Sequence, residues 1–185
     1  MKLSCAIIAA ALLLGSCTRT PEAVPRPRAY PRAAVYPDST VAVGLDGVSF
    51  RANAGAEVRH TRADWADIAY PYYNATVYVS VSGPLTEHEL AEAIANRRDR
   101  IGLNLAGRGA REERFRSAGG FVCSLTEATE PAPVPLQFVA VSPAGRLVSG
   151  AVAFSGSVEP ADSLAPVLAR LRSDVDRILE SLSER

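Results

Sequence analysis

The chain has 185 residues, with 20 basic and 20 acidic side chains, a formal net charge of +0 and three cysteines. This balance argues against nucleic acid as the main partner, because a nucleic-acid-binding domain carries a strongly basic face. Lys2 is the only lysine, so every other basic residue is an arginine, and the length suffices for one hydrophobic core beyond the N-terminal segments.

Met1-Lys2-Leu3 gives a short positive start, and residues 6–14 are a continuous apolar run. This is the layout of a secretory signal, and the run is shorter than the roughly 20 apolar residues that span a bilayer. Leu14-Gly15-Ser16-Cys17 follows. A Leu-small-small-Cys order is the mark of a bacterial lipoprotein, whose processing enzymes alkylate the thiol with diacylglycerol and then cut before it. Cys17 is therefore the expected lipid attachment site. With each buried CH₂ contributing about 0.8 kcal/mol, several palmitate-type chains make a lasting anchor in the bilayer. Cys5 leaves with residues 1–16, so Cys123 is the only other thiol of the mature chain and no internal disulfide is expected. In the alternating stretch Phe121-Val122-Cys123-Ser124-Leu125 it reads as a small buried hydrophobe.

Residues 17–37 hold Pro21, Pro25, Pro27, Pro31 and Pro37 with arginines between them. Proline at this density excludes helix and central strand and predicts an extended tether, at about 3.1 Å per residue. Residues 38–185 are expected to form one α+β domain.

Within that domain, residues 48–51 and 56–60 read as a hairpin around Ala52-Asn53-Ala54-Gly55. Residues 65–70 and 76–81 are clearer strands, because Thr76, Tyr78 and Ser80 alternate with Val77, Val79 and Val81. Pro71-Tyr72-Tyr73-Asn74 makes the turn between them. A helix follows, with Thr86 as N-cap, Glu89 as its capping-box partner and Leu85 and Leu90 at the staple positions. Leu90, Ala93, Ile94, Arg97 and Ile101 recur at helical spacing, and Gly102 or Gly107 ends or interrupts the helix. Residues 110–116 suggest a second, polar helical piece. Residues 120–126, 136–141 and 147–154 read as strands, the last two joined by the turn Ser142-Pro143-Ala144-Gly145-Arg146. Ser163 is the expected N-cap of a terminal helix, with Pro166 in its first turn. Its apolar stripe is Leu164, Val167, Leu168, Leu171, Val175, Ile178, Leu179 and Leu182; Arg172, off the stripe, is expected to matter little. This order favours an antiparallel sheet flanked by helices.

Chemistry-bearing residues are sparse. His60 and His88 are the only histidines, no His/Cys/Asp cluster has metal-ligand spacing, and no serine sits in a nucleophile elbow. The loop from Gly102 to Gly109 lacks the Lys-Ser/Thr of a phosphate loop. No catalytic residue, metal or cofactor is expected. Trp65, Tyr70, Tyr72 and Tyr73 surround one turn; alternation sends some into the core, while Tyr72 and Tyr73 could form an exposed rim for a sugar or a partner. Asp38-Ser39-Thr40 loosely fits an Asp-Ser/Thr-apolar O-glycosylation pattern, with Ser39 as acceptor, whereas Asp162-Ser163 fits better as a helix cap.

Three stretches resemble the GldD family, gliding-motility lipoproteins of Bacteroidota. They are Pro25-Arg26-Pro27-Arg28-Ala29-Tyr30 in the tether, the run from Trp65 to Val77 with its Tyr70-Pro71 and Asn74-Ala75-Thr76, and Glu159-Pro160-Ala161-Asp162-Ser163-Leu164-Ala165-Pro166-Val167-Leu168. With the lipobox they run in the family's order, although residues 37–63 follow it loosely and arginine replaces lysine in the tether. The resemblance implies a non-enzymatic envelope component that docks onto gliding-motility or type IX secretion machinery. The element order also resembles the PsbP/Mog1-like α/β/α sandwich, a likeness of fold alone. A carbohydrate- or peptidoglycan-binding lipoprotein is the alternative. Cys17-Thr18-Arg19-Thr20-Pro21-Glu22 lacks both an inner-membrane retention signal and an acidic surface-export signal, so the expected place is the outer membrane, with the domain in the periplasm.

Overall fold

The computed structural model describes residues 36–156 and 161–185. The expected signal peptide, Cys17 and the tether up to residue 35 lie outside the described residues. Thr40–Leu45 (β1) and Val48–Asn53 (β2) form an antiparallel hairpin through Asp46-Gly47, both at positive φ (29° and 80°). An Asp-Gly pair with positive φ at both positions matches the right-handed twist of the flanking strands. This overturns the expected hairpin of residues 48–51 with 56–60. Beyond β2, the Asn53 Oδ1 accepts from the Gly55 amide at 2.9 Å and turns the chain out of that sheet. Glu57–Arg62 (β3) then pairs with Trp65–Tyr70 (β4), not with β2.

A single 3₁₀ turn at Pro71–Tyr73 joins β4 to Ala75–Val81 (β5), with Asn74 left-handed at φ 49° and its amide bonded to the Pro71 carbonyl at 3.1 Å. The next helix, Glu87–Leu105 (α1), starts as expected. Thr86 Oγ1 accepts from the Glu89 amide while the Glu89 carboxylate accepts from the Thr86 amide at 2.9 Å, and these contacts lower the Glu89 pKa. Ala106 and Gly107 end α1 at positive φ.

Residues 110–116 are not helical: Ala110–Arg116 is strand β6, paired along its whole length with Val122–Ala128 (β7). Arg, Glu and Ala suit a helix in isolation, but a full ladder of backbone hydrogen bonds outweighs preferences of tenths of a kcal/mol per residue. The charges suit its place at the edge of the sheet, where they discourage pairing with another chain. Leu136–Val141 (β8) and Leu147–Phe154 (β9) form the expected hairpin.

Among the described residues the strands make two antiparallel sheets. Seven lie in the order β3-β4-β5-β9-β8-β7-β6; β1 and β2 form a second sheet with Ser183–Glu184 (β10), a strand the sequence reading lacks. The terminal helix α2 covers Ala161–Glu180, so Ser163 lies inside it instead of capping it, and Pro166 is an interior residue. Leu171, Val175, Ile178 and Leu179 of its stripe, and Leu182 just beyond it, are fully buried, while Leu164, Val167 and Leu168 are only partly covered.

Strand register separates the two faces of the large sheet. Asn104 of α1 bonds Gln137 of β8 at 2.6 Å, so α1 lies on the Gln137 face. Thr126 pairs with Gln137 and shares that face, whereas the next residue, Glu127, points the other way and meets Arg172 of α2 at 2.9 Å. The two helices therefore cover opposite faces of an α+β structure. Val77, Val79, Ile68, Leu125 and Phe138 form the core on the α2 side, together with Val48 and Phe50 of β2.

Candidate functional site

The four aromatic residues singled out above do not share a surface. Tyr70 and Tyr73 are buried at 0% and 6% exposure, with rings stacked at 6.1 Å, and Tyr72 stands 78% exposed. Trp65 lies on the opposite face of the sheet, since it pairs with Ser80 while Tyr70 shares the core with Val77.

Tyr36 completes the buried corner. Its ring meets Tyr70 and Tyr73 edge-on at 5.1 and 4.9 Å, and its hydroxyl accepts from the Tyr72 amide at 3.2 Å. The end of the segment read as tether thus docks on the domain. Such edge-to-face pairs add about 0.5–1.5 kcal/mol beyond burial. Burial, and after it the Asp174 carboxylate, push the Tyr70 phenol well above the usual tyrosine range. Its hydroxyl lies beside Asp174 without meeting hydrogen-bond geometry. The corner is a structural clasp. Ser39 is exposed just before β1, and its carbonyl accepts from the Ala54 amide at 2.9 Å.

The other face is built differently. Its floor holds Trp65, Tyr78, Ser80, Ser149 and Gln137, mostly polar or small, and α1 crosses it without a single fully buried residue. A cavity of about 270 Å³ remains between floor and helix, roofed by Arg97, Arg100, Ile101 and Asn104. A larger groove of about 480 Å³ runs along the other flank of α1, over Val122, Val139 and Val141.

The electrostatics of the smaller cavity are one-sided. Burial, and then the neighbouring Arg100, lower the Arg97 pKa. Neither arginine forms an ion pair or a hydrogen bond among the described residues. Gln137, 3% exposed, accepts from Asn104 Nδ2–H through its Oε1, and its Nε2 is buried with no partner. Trp65 donates Nε1–H to Asp67 at 2.6 Å, and the Arg62 guanidinium carbon sits 5.5 Å from its ring centroid. Ser80 and Ser149 join hydroxyls across β5 and β9 at 2.9 Å.

Tyr78, Arg97, Arg100, Asn104 and Gln137 were not singled out from sequence. One signal was present: Arg97 stands on the stripe of α1 that points inward, where a charge calls for a partner. Among the described residues, His60 and His88 are exposed, and no group of three metal-ligating side chains converges. Cys123 is fully buried, and burial pushes its thiol up to about 11.

A family model described as gliding motility lipoprotein GldD matches residues 20–183, from the tether to the last strand. The chain belongs to the GldD family. A search of curated proteins finds no match. GldD is a lipoprotein family tied to gliding motility, so this chain is a membrane-anchored envelope protein with a part in that machinery. Among the described residues no helix is long and apolar enough to cross a membrane.

Proposed function

We propose that the protein is a non-enzymatic docking subunit of gliding-motility and type IX secretion machinery, held on the outer membrane by acylated Cys17 with its domain in the periplasm. The carrying observation is the GldD match, which takes in both tether and domain. The signal-like N-terminus and the lipobox at Cys17 support the anchor. The clasp of Tyr36 on Tyr70 and Tyr73 supports docking work, because it fixes where the tether leaves the domain. Pull-down of the lipidated protein from native membranes, followed by mass spectrometry, tests the reading. Recovery of motility or secretion components in constant ratio supports it; recovery of the bait alone, from membranes where those components are present, overturns it. We read the architecture as a PsbP/Mog1-like sandwich, supported by α1 and α2 on opposite faces of the large sheet.

A second reading, binding of a carbohydrate or peptidoglycan unit, draws on the α1 cavity. Its aromatic wall is Trp65 and Tyr78, whose rings lie 6.3 Å apart at 48°. Tyr72 is the only member of the expected Tyr72/Tyr73 rim that is exposed, so the cavity is the better place for such a ligand.

A further inference from the structure

We propose that the cavity between α1 and the seven-stranded sheet binds a compact carboxylate-bearing ligand, its anion held by Arg97, Arg100 and the Gln137 amide against a wall of Trp65 and Tyr78.

Three independent features converge on this chemistry. The first is shape: about 270 Å³ is near the lower end for small-molecule sites, which run from about 300 Å³ upward. That suits a single sugar or a dipeptide. The second is the unused donor. Gln137 lines the cavity and is 3% exposed, yet its Nε2 has no acceptor. Leaving a buried donor without a partner is unfavourable, and a ligand oxygen would supply the missing acceptor.

The third feature is charge. Arg97 and Arg100 are one helical turn apart, both line the cavity, and neither meets a carboxylate among the described residues. Other arginines of the domain do find carboxylates: Arg172 meets three, and Arg59, Arg62, Arg114, Arg146 and Arg177 meet one each, while those that meet none among the described residues, such as Arg98 and Arg111, line no part of this cavity. The half-buried Arg97 and the exposed Arg100 line one cavity and repel each other; burial first, and then Arg100, lowers the Arg97 pKa. An anion relieves the repulsion. Guanidinium binds a carboxylate through paired N–H donors, with stronger hydrogen bonds than neutral partners give. The cavity shares Trp65, Ser80, Arg97, Arg100 and Ser149 with an adjoining recess of about 500 Å³ that reaches Arg62, Asn96 and Leu85, so the rest of a ligand can extend there.

A carboxylate of this size could come from a sugar acid or from the C-terminus of a short peptide. The inference rests on the second reading for the site but not for the ligand class, and one experiment separates the two. Trp65 is the only tryptophan of the chain, so its fluorescence reports from the wall of this cavity and the recess beside it. The lipidated protein in detergent micelles is titrated with D-glucuronate, its methyl ester, D-glucose and D-alanyl-D-alanine.

A saturable change with D-glucuronate but not with its ester supports the proposal and assigns a sugar acid. Saturation by the dipeptide alone supports it and assigns a peptide terminus. Equal saturation by glucuronate, ester and glucose would keep the carbohydrate reading and overturn the carboxylate. No saturation with any of them overturns both. Arg97→Met should weaken acid binding by about tenfold or more, and so should Gln137→Leu, which keeps the bulk and removes the donor. Arg98→Met, on the other flank of α1, should leave binding unchanged; an equal loss from all three variants would also overturn the assignment.

Discussion

Asn53 donates Nδ2–H to the buried Asp174 carboxylate at 3.3 Å, joining the end of β2 to α2 across 121 residues of sequence. The same amide nitrogen donates to the Pro37 carbonyl at 3.0 Å, and its oxygen holds the Gly55 amide. Arg177 closes the group with a 3.0 Å contact to Asp174. One small side chain thus fixes the docked end of the tether, the turn after β2 and the terminal helix.

Asn53→Ala should therefore destabilise the domain by about 1–3 kcal/mol, because it strands buried partners as well as losing its own bonds. Asn53→Asp should cost more than Asn53→Ala, since it sets a second carboxylate against Asp174. Thermal unfolding of the three proteins at neutral pH checks the order. If Asn53→Asp were as stable as wild type, the contact with Asp174 would not hold in solution.

Leu171 and Arg172 are neighbours with different work. Leu171 is fully buried, and Leu→Ala at such a site costs about 2–5 kcal/mol. Arg172, expected from sequence to matter little, bonds Asp176 at 3.0 Å, Glu127 at 2.9 Å and Glu113 at 2.6 Å. Burial works against its charge, but these carboxylates prevail and raise its pKa. Discounting for solvent screening, Arg172→Ala should cost about 1 kcal/mol. Urea unfolding should rank Leu171→Ala well below Arg172→Ala, and salt should shrink only the second effect.

Stability should fall at alkaline pH. The Cys123 thiol ionises near 9.0 when unfolded, whereas burial raises it to about 11 in the fold. Between those values the unfolded chain binds fewer protons than the folded one, so its contribution is complete below pH 9 and is lost toward pH 11. Tyr70 acts in the same direction above pH 10.0, its unfolded value. Melting curves from pH 8 to 11 should drop, and Cys123→Ala should flatten the part that begins near pH 9. At pH 8 the native thiol should resist alkylation until the protein unfolds.

Gly150 leaves room that no other residue would. A Cβ there would collide with the Phe138 ring and the Tyr78 carbonyl, and forced overpacking costs about 1–3 kcal/mol. Gly150→Ala should lower the melting temperature, and Phe138→Leu should recover part of the loss. No recovery would show that the backbone carbonyl is the harder obstacle.

Cys17→Ser should leave the protein in the aqueous phase of a detergent partition once its signal peptide is removed, with the domain still folded. The proposed anchor predicts this, because acyl chains and not the domain surface would then hold the bilayer. Continued membrane association of the unlipidated variant would show another anchor.

Local chemistry made part of this protein legible from its sequence. The capping box at Thr86 and Glu89, the alternation of β5 and the stripe from Leu171 to Leu182 each bind neighbours in sequence to one conformation. The family motifs are local too. Asp46-Gly47 is a local signal of the same kind, and it sets the first hairpin between β1 and β2 instead of between residues 48–51 and 56–60.

Partners distant in sequence decided the rest. Residues 110–116 suit a helix until β7 offers a ladder, and Ser183–Glu184 is a strand only because β2 lies beside it. Tyr36 looks like tether until Tyr70 and Tyr73 give its ring a place. The α1 cavity belongs to this second class: Trp65, Arg97 and Gln137 lie far apart in sequence, and strand order and helix placement bring them together. Sequence fixes what a segment can do alone, because propensity and capping act within a few residues. Burial and charge pairing depend on what faces it, and only the packed fold supplies that.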